Sequence, residues 1–89
     1  MQMRFDATAG ALYVSLRPLA EGEHAARTLE IGPGTLVDED DGGRILGIEV
    51  LDPGRSWPLP QILRRWEISD EDQVLLLGAY PCGVAVSVT

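Results

Sequence analysis

The chain has 89 residues, 45% hydrophobic and 24% charged, with 14 acids against 7 bases and a net charge of −7. That is one small domain, too apolar for a disordered tail and too balanced for a fibre. All the bases are arginine. Only Arg64-Arg65 sit together, beside Glu67, Asp70, Glu71 and Asp72, so the clustered cations that neutralise phosphates are missing and nucleic acid is excluded as the expected partner. A basic protein partner suits the charge better. The lone Cys82 allows neither an internal disulfide nor a thiolate zinc site, which fits a reducing compartment. The sequence opens on no basic, apolar, small-residue leader, and the uncharged stretch Gln73–Thr89 is broken by Gly78, Pro81 and Gly83. The expectation is a soluble cytoplasmic protein with no membrane partner.

Met3 and Phe5 alternate into a short strand that leads to a turn at Asp6–Gly10, with Asp6 placed to bond amides ahead of it. Leu12, Val14 and Leu16 alternate with Tyr13 and Ser15 in a second strand. Arg17–Ala25, with Pro18 and Gly22, is a loop. Leu29 and Ile31 share one face of a strand over Arg27–Ile31, and Gly32-Pro33-Gly34 turns the chain into a strand at Thr35–Asp38. Asp40-Asp41-Gly42-Gly43 is rich in residues that accept positive φ. Ile45–Leu51 is the strongest strand, with Leu46, Ile48 and Val50 expected on the core face and Ile45, Gly47, Glu49 and Leu51 on a mixed face.

Asp52-Pro53-Gly54 stops that strand. Prolines at 58 and 60 suit a first helical turn, and Leu59, Ile62, Leu63 and Trp66 fall at i, i+3, i+4 and i+7, so one short helix is expected over Leu59–Trp66. Ser69–Asp72 admits two readings. Ser69 caps a helix that Gly78 would close, or a turn leads to a strand at Val74–Ala79, a tight turn at Tyr80–Gly83 and a return strand at Val84–Val88. The hairpin is the preferred of the two. The expected fold is α+β, mostly β: a small antiparallel β-meander of about four to six strands with one short helix on one face.

Arg4-Phe5-Asp6 followed by Ala11-Leu12-Tyr13-Val14-Ser15-Leu16 resembles the opening of a small prokaryotic family, domain of unknown function 2283. The likeness continues through Val37-Asp38, the acidic glycine turn ending at Gly43, and Gly47-Ile48-Glu49-Val50-Leu51. It covers residues from about 3 to 52, and the order of the three blocks carries it. The resemblance implies an antiparallel meander followed by a helix and no assigned activity. Some members are thought to be encoded beside small toxin-like genes, which implies an antitoxin-like or accessory role. No catalytic residue and no cofactor carries over.

Asp38, Asp40, Gly43, Ile45 and Glu49 match positions 1, 3, 6, 8 and 12 of a calcium-loop template. Position 5 is Gly42, which has no side-chain oxygen, and the flanks read as strands rather than helices. An acidic hairpin turn is the favoured reading, with Asp38, Asp40 and Asp41 as candidate divalent-ion ligands. Asp38 with Glu49 as a metal-dependent nuclease core is disfavoured, because such cores commonly add a lysine. Asp38 is expected to accept turn amides, and Glu49 to pair with an arginine such as Arg27. His24 lies in a loop without an orienting neighbour, and Cys82 has no cation nearby in sequence to lower its pKa. Trp66 reads as core, and Trp57 as either core or interface. The leading function is a non-enzymatic protein-interaction module, homodimeric, that meets a basic partner through Asp38, Glu39, Asp40, Asp41, Trp57, Val84 and Val86. The alternative is a small ligand- or metal-binding domain that uses the acidic turn.

Overall fold

The computed structural model describes residues 1–17, 24–78 and 80. Among the described residues five strands form one antiparallel sheet: β1 (Gln2–Asp6), β2 (Ala11–Ser15), β3 (Arg27–Glu30), β4 (Thr35–Glu39) and β5 (Ile45–Leu51). Two helices follow, α1 (Leu59–Arg65) and α2 (Asp70–Gly78). The strand order is β1-β2-β5-β4-β3. Sequential hairpins join β1 to β2, β3 to β4 and β4 to β5, and the one departure from a meander is the β2–β5 pairing, which places the two longest apolar patterns side by side at the centre.

The local chemistry explains the turns. Asp6 Oδ1 accepts the Thr8 and Ala9 amides at 3.0 and 3.2 Å, closing the β1–β2 turn as its sequence suggests. In the β4–β5 turn Gly43 takes φ +81, a conformation that costs glycine little.

One face of the sheet carries the core. Leu12, Val14, Val37, Ile48 and Val50 pack there with Trp57, Leu59, Ile62, Trp66, Ile68 and Leu76 from the following segment. The expected core face of β5 needs one correction. Leu46 is buried but lies outside the contiguous core, and Ile45 takes its place. The cause is a register shift: Asp38 pairs with Gly47, yet Glu39 pairs with Ile45, so Leu46 is the extra residue of a bulge. Such an insertion breaks the two-residue alternation at that point.

α1 has Pro58 at its N-cap and Pro60 in its first turn, and buries Leu59 and Ile62. Arg64 and Arg65 in its last turn suit the negative end of the helix dipole. The strand expected over Val74–Ala79 is overturned, because Asp70–Gly78 is helical. Ser69 Oγ accepts the Asp72 amide at 3.2 Å, and Asp70, Glu71 and Asp72 occupy the positive first turn. The leucines that follow are strong helix formers, and Leu76 alone anchors the helix in the core. The return strand expected at Val84–Val88 lies outside the described residues.

Thr35 is buried on the core face, and its hydroxyl has no hydrogen-bond partner among the described residues. Valine keeps its shape and removes the buried polar atom. Thr35→Val is expected to raise stability by about 1 kcal/mol, read as a higher denaturant midpoint at unchanged slope. A lower midpoint would show that the hydroxyl contributes.

Candidate functional site

The acidic segment of β4 and its turn is divided between three environments. Asp38, like Tyr13, Thr28, Gly47 and Glu49, lies on the sheet face opposite the core. Thr28 Oγ1 donates to Asp38 Oδ1 at 2.6 Å, and the Tyr13 hydroxyl approaches Oδ2 at 3.4 Å. Tyr13 reaches Asp38 because Gly47 stands between them: a Cβ at residue 47 would sit 2.8 Å from the Tyr13 hydroxyl oxygen. Burial, and next the Asp38 carboxylate, push the Tyr13 phenol above its ordinary pKa, so it stays protonated and can act as donor. Asp38 does not accept turn amides, contrary to expectation; it bridges three strands through side chains. The blocks that carry the family resemblance meet here, Tyr13 from the first, Asp38 from the second, Gly47 and Glu49 from the third.

Glu39 faces the opposite way, towards the helices. Trp66 Nε1 donates to Glu39 Oε2 at 2.6 Å and Arg27 Nε to Oε1 at 3.0 Å. The Trp66 bond first, then Arg27, holds the Glu39 carboxyl below its usual pKa. Arg27 therefore serves Glu39 and not Glu49, because it stands opposite Glu39 in the β3–β4 register.

Asp40 is the residue that organises the turn. The Gly42 and Arg44 amides donate to Oδ1 at 2.9 and 2.8 Å, and the Arg17 and Arg44 guanidinium groups reach Oδ2 at 3.1 and 3.0 Å. The Arg44 amide is the largest influence that holds its carboxyl below the ordinary pKa, and the charges of Arg44 add to it. A carboxylate with four donors on its two oxygens already has the partners a cation would replace. Asp41 is exposed, and among the described residues no group of three or more His, Cys, Asp or Glu side chains is placed to hold a metal ion.

Trp57 is buried, its ring edge-on to Tyr80 with centroids 5.1 Å apart, so of the two readings of this residue the core is the one realised. Trp66 is core as expected. His24 is exposed. Val84, Val86 and Cys82 lie outside the described residues.

The surface that sequence reasoning missed is on α2. Val74, Leu75 and Leu77 are exposed, 69%, 50% and 52%. Their signal was the Ser69 cap with acids behind it: taken as a helix start, it leaves more leucine and valine on nine residues than one buried face can take. No helix of the described residues is long and apolar enough to cross a membrane.

No curated protein and no solved structure matches this chain. One family model does, described as "Protein of unknown function (DUF2283)", and it matches residues 2–52, more than half of the 89-residue chain and the span of the whole sheet. By that match over more than half of its length, this chain belongs to the DUF2283 family.

Proposed function

We propose that the protein is a cytoplasmic, non-enzymatic interaction module, homodimeric, that binds a basic protein segment along the outer face of α2. The observation that carries this reading is the exposure of Val74, Leu75 and Leu77 on one short helix. Large apolar side chains grouped in the open mark contact surfaces more often than single ones do. Asp70 and Glu71 are exposed in the first turn of the same helix, and the whole chain carries −7. An apolar strip with acids at one end is complementary to an amphipathic segment that carries Lys or Arg. The acidic turn contributes less than its composition suggests, since Glu39 and Asp40 are engaged internally and Asp41 is the exposed acid of the turn. The antitoxin-like or accessory role that the family resemblance implies makes a small basic toxin the first partner to try. The divalent-ion alternative has no comparable support, because Asp38 and Asp40 spend their oxygens on protein donors.

The test compares tagged wild type with the Val74→Gln/Leu77→Gln variant in pull-downs from the native cell, read by mass spectrometry. A stoichiometric basic protein retained by wild type, lost with the variant and weakened by salt is the expected result. Both substitutions fall on exposed positions, so the thermal midpoint should hold. Equal recovery by both proteins, or no stoichiometric basic protein, would overturn the reading.

A further inference from the structure

We propose that two copies of this chain join through β1, edge to edge and antiparallel about a two-fold axis at Phe5, which turns two five-stranded sheets into one of ten strands. This rests on the homodimeric reading and assigns its interface.

β1 is the outer strand of the sheet, exposed along its whole length. The direction of its backbone groups follows from the neighbouring ladder. The Leu16 amide donates to the Leu46 carbonyl at 2.8 Å, and the Asp52 amide to the Gly10 carbonyl at 3.0 Å. By the alternation of antiparallel pairing, the even residues of β2 spend their backbone groups on β5, and Ala11, Tyr13 and Ser15 turn theirs towards β1. Their partners are Asp6, Arg4 and Gln2. The amides and carbonyls of Met3 and Phe5 therefore point outward, with no strand among the described residues to receive them. Edge strands usually carry a lysine, a proline, a bulge or an inward charge that blocks further pairing. β1 carries none of the first three, and its five residues pair with β2 in unbroken register. The opposite edge, β3, is shorter, and its Arg27 is tied to Glu39.

The side chains point to a second copy as the occupant. Met3 and Phe5 pair with Val14 and Leu12, so they share the core face, yet they remain 37% and 54% exposed. A copy at this edge sets Phe5 against its equivalent and continues the core across the axis. On the other face stand Arg4 and Asp6. With Phe5 opposite Phe5, Arg4 of each copy lies opposite Asp6 of the other, twice over. Centring the axis on Arg4 would oppose two arginines, which is unfavourable, and centring it on Met3 would leave these charges unpaired. Charge and apolar pattern thus select one register.

Cross-linking tests it on the full chain. In a Cys82→Ser background, Phe5→Cys places two thiols at a hydrogen-bonded antiparallel pair, where Cα atoms lie about 5.5 Å apart, within disulfide reach. Mild oxidation should give a covalent dimer with Phe5→Cys and none with Met3→Cys, whose equivalents stand more than about 13 Å apart in this register. Phe5→Lys should lower the solution mass, read by light scattering, from two chains to one while circular dichroism stays unchanged. If wild type is itself a single chain in solution, the homodimeric reading and this interface both fall. If wild type is a dimer, but Phe5→Lys leaves it one or Met3→Cys cross-links as well as Phe5→Cys, this interface falls and the homodimeric reading stands.

Discussion

Gly47→Ala is expected to destabilise the protein by about 1–3 kcal/mol, although alanine normally improves on glycine inside a strand. The reason is space. Gly47 is on the central strand β5, and an added Cβ would lie 2.8 Å from the Tyr13 hydroxyl, 3.2 Å from its ring carbon Cζ and 2.9 Å from the Val14 carbonyl oxygen. The tyrosine can rotate away, at the expense of its approach to Asp38, but the carbonyl belongs to the neighbouring strand and moves only with the sheet. For a domain of this size each kcal/mol lowers the thermal midpoint by about 4–8 °C. Tyr13→Phe in the same chain removes the nearest atom and leaves the carbonyl, so the double variant should recover part of the loss. A Gly47→Ala variant as stable as wild type would show that the ladder relaxes freely there and that Tyr13 need not lie across residue 47.

Trp66→Ala is expected to cost about 3–5 kcal/mol, comparable with the entire stability of a small domain. Trp66 is buried against the core, and Arg65 lies over its ring at 4.7 Å. Its removal opens a cavity and leaves Glu39 with Arg27 as its remaining side-chain donor. Trp66→Phe separates the two effects. It keeps an aromatic in the core and removes the N–H that is the largest cause of the lowered Glu39 pKa. A carboxyl with a lowered folded-state pKa adds stability above its unfolded value and loses it as the pH falls through the folded one. The stability gap between wild type and Trp66→Phe should therefore be widest at neutral pH and narrow as the pH drops below 4.5, the ordinary value. Urea titrations across that range check it, and a gap that stays constant would mean the cost lies in packing alone.

These two positions differ in how openly the sequence announces them. Trp66 completes the Leu59–Ile62–Leu63 stripe and is visible as core. Its bond to Glu39 is not visible, because simple alternation gives no warning that the Leu46 bulge rotates the end of the β4–β5 hairpin. Gly47 reads as one more glycine on a mixed face until the β2–β5 pairing lays Tyr13 across it. For the same reason Asp40, and not Asp38 as expected, accepts the turn amides. Both stand near the turn in sequence, but alternation sends Asp38 to the open face, while the tight loop curls the Gly42 and Arg44 amides onto Asp40.

By itself the sequence determined the five strands, the Asp6 turn, the first helix with its proline start, and the family of its first 52 residues. Each of these is written in neighbours a few positions apart, where period, turn chemistry and capping act. Tertiary structure alone decided that β2 pairs with β5, that Glu39 meets Trp66, and that 70–78 is a helix held by Leu76 with Val74, Leu75 and Leu77 left outside. A short apolar run has the composition of a strand or a buried helix alike. Which it becomes depends on the surface it meets, and that surface is assembled from residues far away in the chain.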